Sequence, residues 1–339
     1  MDFINKPAVI LAIESSCDET SAAVFRGETV VSNVVAGQII HEQYGGVVPE
    51  LASRVHQQHI VPVVAKALSD ANITKNDLTA VAFTRGPGLL GSLLVGTSFA
   101  KSLAMGLSIP LIEVNHMQAH ILAHFIEEPK PNFPFLCLTV SGGHTQIVLV
   151  KSALEMEIIG ETQDDAVGEA FDKAAKILGL PYPGGPLIDK WAAQGNPNAF
   201  SFPVSDMPGY TFSFSGIKTA ILYFVRKMEL QDPQFVEKNL ADLCASIQFT
   251  LVKMLLQKLK RAARELKINQ IAIAGGVSAN SGLRQALAEL GQKERWNVFV
   301  PAFQYCTDNA GMIAMAAYFK YQKEQWTPQS VSPMPRMSL

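Results

Sequence analysis

Cysteine is scarce in this 339-residue chain, and the four present stand far apart. Cys17, Cys137, Cys244 and Cys306 form no CxxC pair. This argues against a cysteine zinc site or a disulfide framework and for a reducing compartment. Long apolar runs are also missing. No uninterrupted stretch reaches the ~20 residues of a membrane span. The early run AVILAI stops at Glu14, without the pattern of a secretory leader. A cytoplasmic protein is expected. Charged residues make up only 17% and nearly cancel, at a net −2. Bulk charge therefore decides nothing about nucleic acid, which needs only a local basic patch.

One further absence concerns a single residue. The segment VNHMQAHILAH, residues 114–124, carries His116, His120 and His124 at every fourth position. That spacing puts side chains on one helix face, where two imidazoles can grip one metal ion. A zinc protease motif has the same spacing but places a glutamate directly after the first histidine. Met117 stands there instead. The alternative is a half-buried helix whose imidazoles are merely hydrogen-bonded.

The chain is longer than one hydrophobic core usually supports, so two domains or subdomains are expected. AVILAIESSCDETSAAVFRGETVVSNV suggests a strand, a polar turn and a second strand. PFLCLTVSGGHTQIVLVKS repeats that layout later. Chance hairpins or an internal duplication both explain the likeness. Elsewhere strands alternate with helices, as in QIAIAGGVSANSGLRQALAEL, which predicts α/β layers with partly parallel sheets. Pro62 marks a kink or boundary in ELASRVHQQHIVPVVAKALSDA. The end, TPQSVSPMPRMSL, has a loose, polar composition.

Several segments can carry chemistry. In SGGHTQ, from Ser141, small residues let backbone N–H groups approach an anion, although a plain tight turn has the same composition. AGGVSANSGLR, residues 274–284, combines a strand, a Gly pair and a helix start, which suits a nucleotide. This segment has neither dinucleotide-fingerprint nor Walker-loop spacing. Gly184 and Gly185, with Asp189 one turn on, cap the same ligand or simply open a helix. Asp308 is a third metal ligand or a helix N-cap. ESSCDET, from Glu14 to Thr20, is a polar rim or a solvated turn. Lys253, Lys258, Lys260, Arg261, Arg264 and Lys267 share one helix, by default a solvated face, otherwise an RNA contact.

Taken together, IESSCDET, YGGVVPELASR, TRGPGLLGSLLVG, NHMQAH, SGGHTQ, GEAFDKAAKILGL, YPGGP, IAGGVSAN and TDNAGMIA resemble one family. Their order from about residue 9 to residue 317 resembles the bacterial TsaD-type tRNA N6-adenosine threonylcarbamoyltransferases, formerly called O-sialoglycoprotein endopeptidases. The resemblance implies an actin-like ATPase fold of two related subdomains, mixed sheets flanked by helices around a central cleft. The expected bounds are 1–130 and 131–325, with a flexible tail at 326–339. It implies one metal, Fe²⁺ or alternatively Zn²⁺, on His116, His120 and Asp308, which leaves His124 to packing. Substrate or nucleotide contacts are implied for Thr139, Val140, Ser141, Gly142, Gly143, Asp172, Gly185, Asp189 and Asn280.

The implied reaction moves threonylcarbamoyl from threonylcarbamoyl-AMP to N6 of adenosine 37 in tRNAs reading ANN codons. AMP leaves readily, so no water has to be activated and no glutamate is needed beside His116. The base candidates for the N6 proton are Asp18 and Glu19. A TsaB-like homologue and a TsaE-like ATPase are the implied partners. Two competing functions are a metalloprotease, disfavoured by Met117, and a non-catalytic ATP-binding scaffold.

Overall fold

The run VILAIE forms β1 (Val9–Glu14), in which every residue is buried. Strands covered on both faces have this continuous apolar character. Val9, Leu11 and Ile13 point into one core cluster. Ile10 and Ala12 alternate to the other face. β1 pairs antiparallel with β2 (Thr20–Arg26), which pairs antiparallel with β3 (Thr29–Ala36). The chain then forms α1 (Pro49–Asp70), β4 (Ala80–Gly86), α2 (Leu90–Leu107), β5 (Leu111–Asn115) and α3 (His116–Leu122). β4 lies parallel to β1, and β5 parallel to β4. The strand order is β3-β2-β1-β4-β5. Residues 7–37, 44 and 46–339 of the computed structural model are described here. Gly45 of YGGVVPELASR lies outside them.

A second sheet follows from β6 (Phe135–Val140), β7 (Thr145–Ser152) and β8 (Glu155–Glu161). Then come α4 (Val167–Ile177), α5 (Gly184–Ala192), α6 (Ser215–Glu229), α7 (Phe235–Leu266), β9 (Gln270–Ala274), α8 (Ser281–Glu294) and β10 (Asn297–Phe299). Its order is β10-β9-β6-β7-β8. β6 pairs antiparallel with β7 and parallel with β9, as β1 does with β2 and β4. Reversed, this order is that of the first sheet. The two hairpins thus open the same five-stranded topology, which favours duplication over chance likeness. The last helix, α9 (Ala310–Tyr321), packs against β1, β2 and β3.

The chain divides into two units. One comprises Met1–Lys130, Ser152–Met156 and Ala302–Leu339. The other comprises Pro131–Lys151 and Glu157–Pro301. The expected bounds of 131–325 and 326–339 differ from this division, because α9 and everything after it belong with the first unit. Nor is the end of the chain loose. Thr327 N–H donates to Leu111 C=O at 2.8 Å, and Met334 N–H to Arg85 C=O at 2.8 Å. The Asn115 side-chain amide donates to Ser338 C=O at 2.9 Å.

Helix α1 runs through Pro62 without a break, with Pro49 at its start. Proline suits a first turn, whereas Pro62 gives up one backbone hydrogen bond. By length and mean hydropathy (1.3 each), α2 and α7 pass as membrane-spanning helices. In α7 the apolar residues supply the core of the second unit: Leu243, Ile247, Leu251, Leu255 and Leu259 are buried there.

Asp164 holds the start of α6. Its Oδ1 accepts from Phe214 N–H at 2.7 Å, and its Oδ2 from the Ser213 and Ser215 hydroxyls at 2.6 and 2.7 Å. Partial burial opposes the charge, but these bonds outweigh it and hold the carboxyl below its usual range. A depressed native value stabilises above the unfolded value of about 3.9 and is lost as pH falls through the native one. Asp164→Asn should therefore cost about 1 kcal/mol at pH 7, as a lost helix cap does. Urea titrations should show this cost shrinking below about pH 4.

Candidate metal centre

Asn115 ends β5 and starts α3. Its Oδ1 accepts from Met117 N–H at 2.9 Å and Gln118 N–H at 3.1 Å, a side-chain N-cap. His116 and His120 follow on this helix, their ring centroids 4.7 Å apart and edge to face. α3 stops at Leu122, and Ala123–Phe125 is a tighter 3-10 turn. The even spacing to His124 is thus not carried through by α-helix, and His124 stays outside the ligand group.

Asp308 precedes α9. Capping there falls to Asn309, whose side chain accepts from Met312 N–H at 3.0 Å. Ser21 Oγ takes Ala310 N–H, and Asn33 Oδ1 takes Gly311 N–H. Freed from capping, Asp308 Oδ1 lies 3.3 Å from His116 Nε2 and 3.2 Å from His120 Nε2. One ligand atom from each of the three lies within 4.8 Å of the others. Two imidazole nitrogens and one carboxylate oxygen suit Zn²⁺ or Fe²⁺ and leave coordination positions open. The expected ligands are therefore together, and their donor set fits a divalent ion.

The electrostatics agree with that fit. Burial opposes charge on His116, but the Asp308 and Glu14 carboxylates outweigh it and raise the imidazole well above its ordinary range. Burial lowers His120, and the neighbouring His116 adds to this. Asp308 is held far below the carboxylate range: burial works against its charge, and His116 overcomes it. A proton on His116 thus occupies the place of a cation.

Glu14 stands behind His116. Its Oε2 lies 3.0 Å from His116 Nδ1 and accepts from Thr84 Oγ1–H at 2.6 Å. Sequence reasoning placed Glu14 in a polar rim and gave it no partner. Beyond it, the turn of ESSCDET is pinned from α1 and α2. His56 Nε2 and Ser92 Oγ lie 2.9 and 3.0 Å from Cys17 C=O, and Thr20 Oγ1 is 2.8 Å from His56 Nδ1. A neutral His56, donating through Nε2 and accepting at Nδ1, satisfies both of its contacts, and burial lowers its pKa accordingly. Of the two base candidates, Glu19 is pushed up to about 9 by burial and then by the Asp308 carboxylate. A proton-bearing carboxyl is no base; a cation held by Asp308 offsets the charge that raises it.

The remaining expected site residues lie in the second unit. Thr139 and Val140 end β6 and are buried. Ser141 Oγ accepts from Gly143 and His144 N–H at 3.3 and 3.0 Å. A Cβ on Gly142 or Gly143 would meet no atom within 4 Å, so internal packing does not account for these glycines. Asp172 Oδ1 accepts from Gly184 and Gly185 N–H at 2.9 and 3.0 Å. Asp189 accepts from Ser281 N–H and Oγ–H at 2.9 and 2.7 Å. Asn280 caps α8 and donates to Gln248 Oε1 at 2.7 Å. Asp172, Asp189 and Asn280 tie α4, α5, α7 and α8 together beside the Gly-rich loops.

Two other motifs have structural explanations. GPGLLG, from Gly86 to Gly91, happens to carry G-x-G-x-x-G spacing between β4 and α2. Its approach is filled by the chain itself: Gly88 N–H donates to Pro335 C=O, and Leu89 N–H to Ser16 C=O. The basic helix is largely paired. Lys260 and Arg264 contact Glu294 and Arg261 contacts Glu265, while Lys258 is buried and donates to Met207 C=O.

Residues 29–315 match the family described as TsaD: tRNA N6-adenosine threonylcarbamoyltransferase. A protein of that name from Cytophaga hutchinsonii is 63% identical over 97% of this chain and 96% of its own length. One from Christiangramia forsetii is 66% identical over 96% and 97%. Among solved structures, full-length HypF in its phosphate- and nucleotide-bound form superposes with a TM-score of 0.61 at 15% identity, over 95% of this chain and 48% of that one. Component A of the Acidaminococcus fermentans (R)-2-hydroxyglutaryl-CoA dehydratase gives 0.53 at 14%, over 95% and 100%. These distant likenesses concern the fold alone, which is actin-like. The chain belongs to the TsaD-type tRNA N6-adenosine threonylcarbamoyltransferase family.

Proposed function

We propose that this chain transfers threonylcarbamoyl from threonylcarbamoyl-AMP to N6 of adenosine 37 in tRNAs reading ANN codons. The observation that carries this reading is the meeting of His116, His120 and Asp308, with a methionine rather than a glutamate at the next position along the helix. Met117 is buried, so that position offers neither a base nor water. A divalent ion there, Fe²⁺ or else Zn²⁺, supplies Lewis acidity toward the carbamoyl oxygen.

The chain's own residues do the rest. The N6 nitrogen bonds to the carbamoyl carbon, the bond from that carbon to the phosphate oxygen breaks, and AMP leaves with the electron pair. The N6 proton passes to a carboxylate of the pinned turn, Asp18 or Glu19. Thr139 to Gly143, with Asp172, Gly185, Asp189 and Asn280, hold the AMP portion. The open space beside Gly142 and Gly143 supports this role, since backbone N–H groups there can meet a phosphate. We assign the protein to the cytoplasm, with a TsaB-like homologue and a TsaE-like ATPase as partners.

Incubating the metal-loaded chain and these partners with threonylcarbamoyl-AMP and unmodified tRNA tests the reading. Nucleoside analysis should show N6-threonylcarbamoyladenosine at position 37. No product in that complete system would sink the proposal.

A further inference from the structure

We infer that Glu14 is a positioning residue that fixes His116 with its proton on Nδ1, so that the Nε2 lone pair is free for the metal. The inference rests on the metal reading above and goes beyond it by naming what orients one ligand. Glu14 is fully buried, yet nothing about it is left unsatisfied. Oε1 accepts from Ser16 N–H at 2.5 Å, and Oε2 accepts from Thr84 Oγ1–H at 2.6 Å. The remaining neighbour of Oε2 is His116 Nδ1 at 3.0 Å. A carboxylate only accepts, so the shared hydrogen sits on Nδ1. Ser16 Oγ lies 3.2 Å from the same nitrogen and completes a cradle on that side of the ring.

Nε2 then points the other way, to Asp308 Oδ1 at 3.3 Å. Glu14 holds this orientation from a rigid base. It ends β1, the middle strand of the first sheet, and Thr84 lies beside it on β4, where Ile13 pairs with Phe83. His120 has no such support: its Nδ1 is buried without a partner among the described residues. The two histidines are thus unequal: His116 meets a carboxylate at each ring nitrogen, whereas His120 meets one only at Nε2, from Asp308 Oδ1 at 3.2 Å. Such outer partners raise ligand basicity and set the tautomer.

The isosteric Glu14→Gln variant tests this by zinc affinity, measured by competition with a chromophoric chelator. A carboxamide keeps the volume but cannot accept at both positions. Affinity should fall about 10- to 100-fold, with the circular dichroism of the metal-free protein unchanged. A folded variant that binds zinc within about twofold of wild type would overturn the role of Glu14 and leave the metal reading intact. A wild-type chain that binds no zinc would overturn the metal reading, and this inference with it. Should Glu14→Gln fail to fold, ¹⁵N-histidine spectra of the zinc-loaded wild type decide the matter. His116 should appear protonated at Nδ1 and metallated at Nε2; the reverse tautomer would refute the inference.

Discussion

His116→Ala should strip the bound metal, reduce tRNA modification at least about 100-fold, and also destabilise the metal-free protein. Metal loss follows from removing one of three ligands. The activity loss is of the size seen when one stabiliser of developing charge is removed. The stability loss has a separate origin. His116 lies between Glu14 Oε2 at 3.0 Å and Asp308 Oδ1 at 3.3 Å. Its removal leaves a fully buried carboxylate with no cation beside it, and breaking a buried pair in this way costs about 3–5 kcal/mol. His120→Ala is the control. Burial keeps His120 neutral, so its loss should abolish metal binding equally but cost the metal-free protein clearly less. Elemental analysis, a transfer assay and urea unfolding of chelator-treated proteins separate these effects. Equal unfolding midpoints for the two variants would contradict the account.

Gly275→Ala should be nearly as damaging, through the backbone alone. Gly275 follows β9 with φ +88°, a region that side chains rarely occupy. An added Cβ would lie 2.5 Å from Val140 O and 3.0 Å from Val140 C, both main-chain atoms. No rotamer change relieves such a clash. β6 and β9 pair through Thr139 and Ala274, so they would have to separate at the end that carries SGGH. Strain and overpacking together cost roughly 3 kcal/mol, a fall in melting temperature of roughly 4 °C for a chain of this length. Gly276→Ala provides the contrast, because a Cβ there meets nothing within 4 Å. Calorimetry should show it within about 0.5 kcal/mol of wild type.

The sequence made local relations readable and hid those the sheets create. His116 and His120 are four residues apart, and helical periodicity alone brings them to one face. Asp308 was readable only as a cap or a ligand, and the structure gives the cap to Asn309. Glu14 and His116 are 102 residues apart, and their contact depends on the order β1-β4-β5. No pattern along the chain encodes that neighbourhood. Composition misled at the end of the chain. TPQSVSPMPRMSL is polar and proline-rich, yet its anchors run through main-chain groups of Thr327, Met334 and Pro335, which composition does not report. The alternation of strands and helices identified an α/β chain, while the return of Ala302–Leu339 to the first unit left no trace in it.

The repeated hairpin has two apices that are held from outside in different ways. In the second, Ser141 N–H donates to His144 C=O and Ser141 Oγ accepts from Gly143 and His144 N–H, and α4 holds the turn through Gly168 N–H donating to Ser141 C=O at 3.2 Å. The first is laced to His56 and Ser92, residues from two other helices. Substitutions at the second apex are therefore coupled to position 168, where an added Cβ would lie 2.6 Å from Ser141 O. Those at the first are coupled to positions 56 and 92 through side chains, so two tips of like topology are bound to their surroundings by different chemistry, main chain at one and imidazole and hydroxyl at the other.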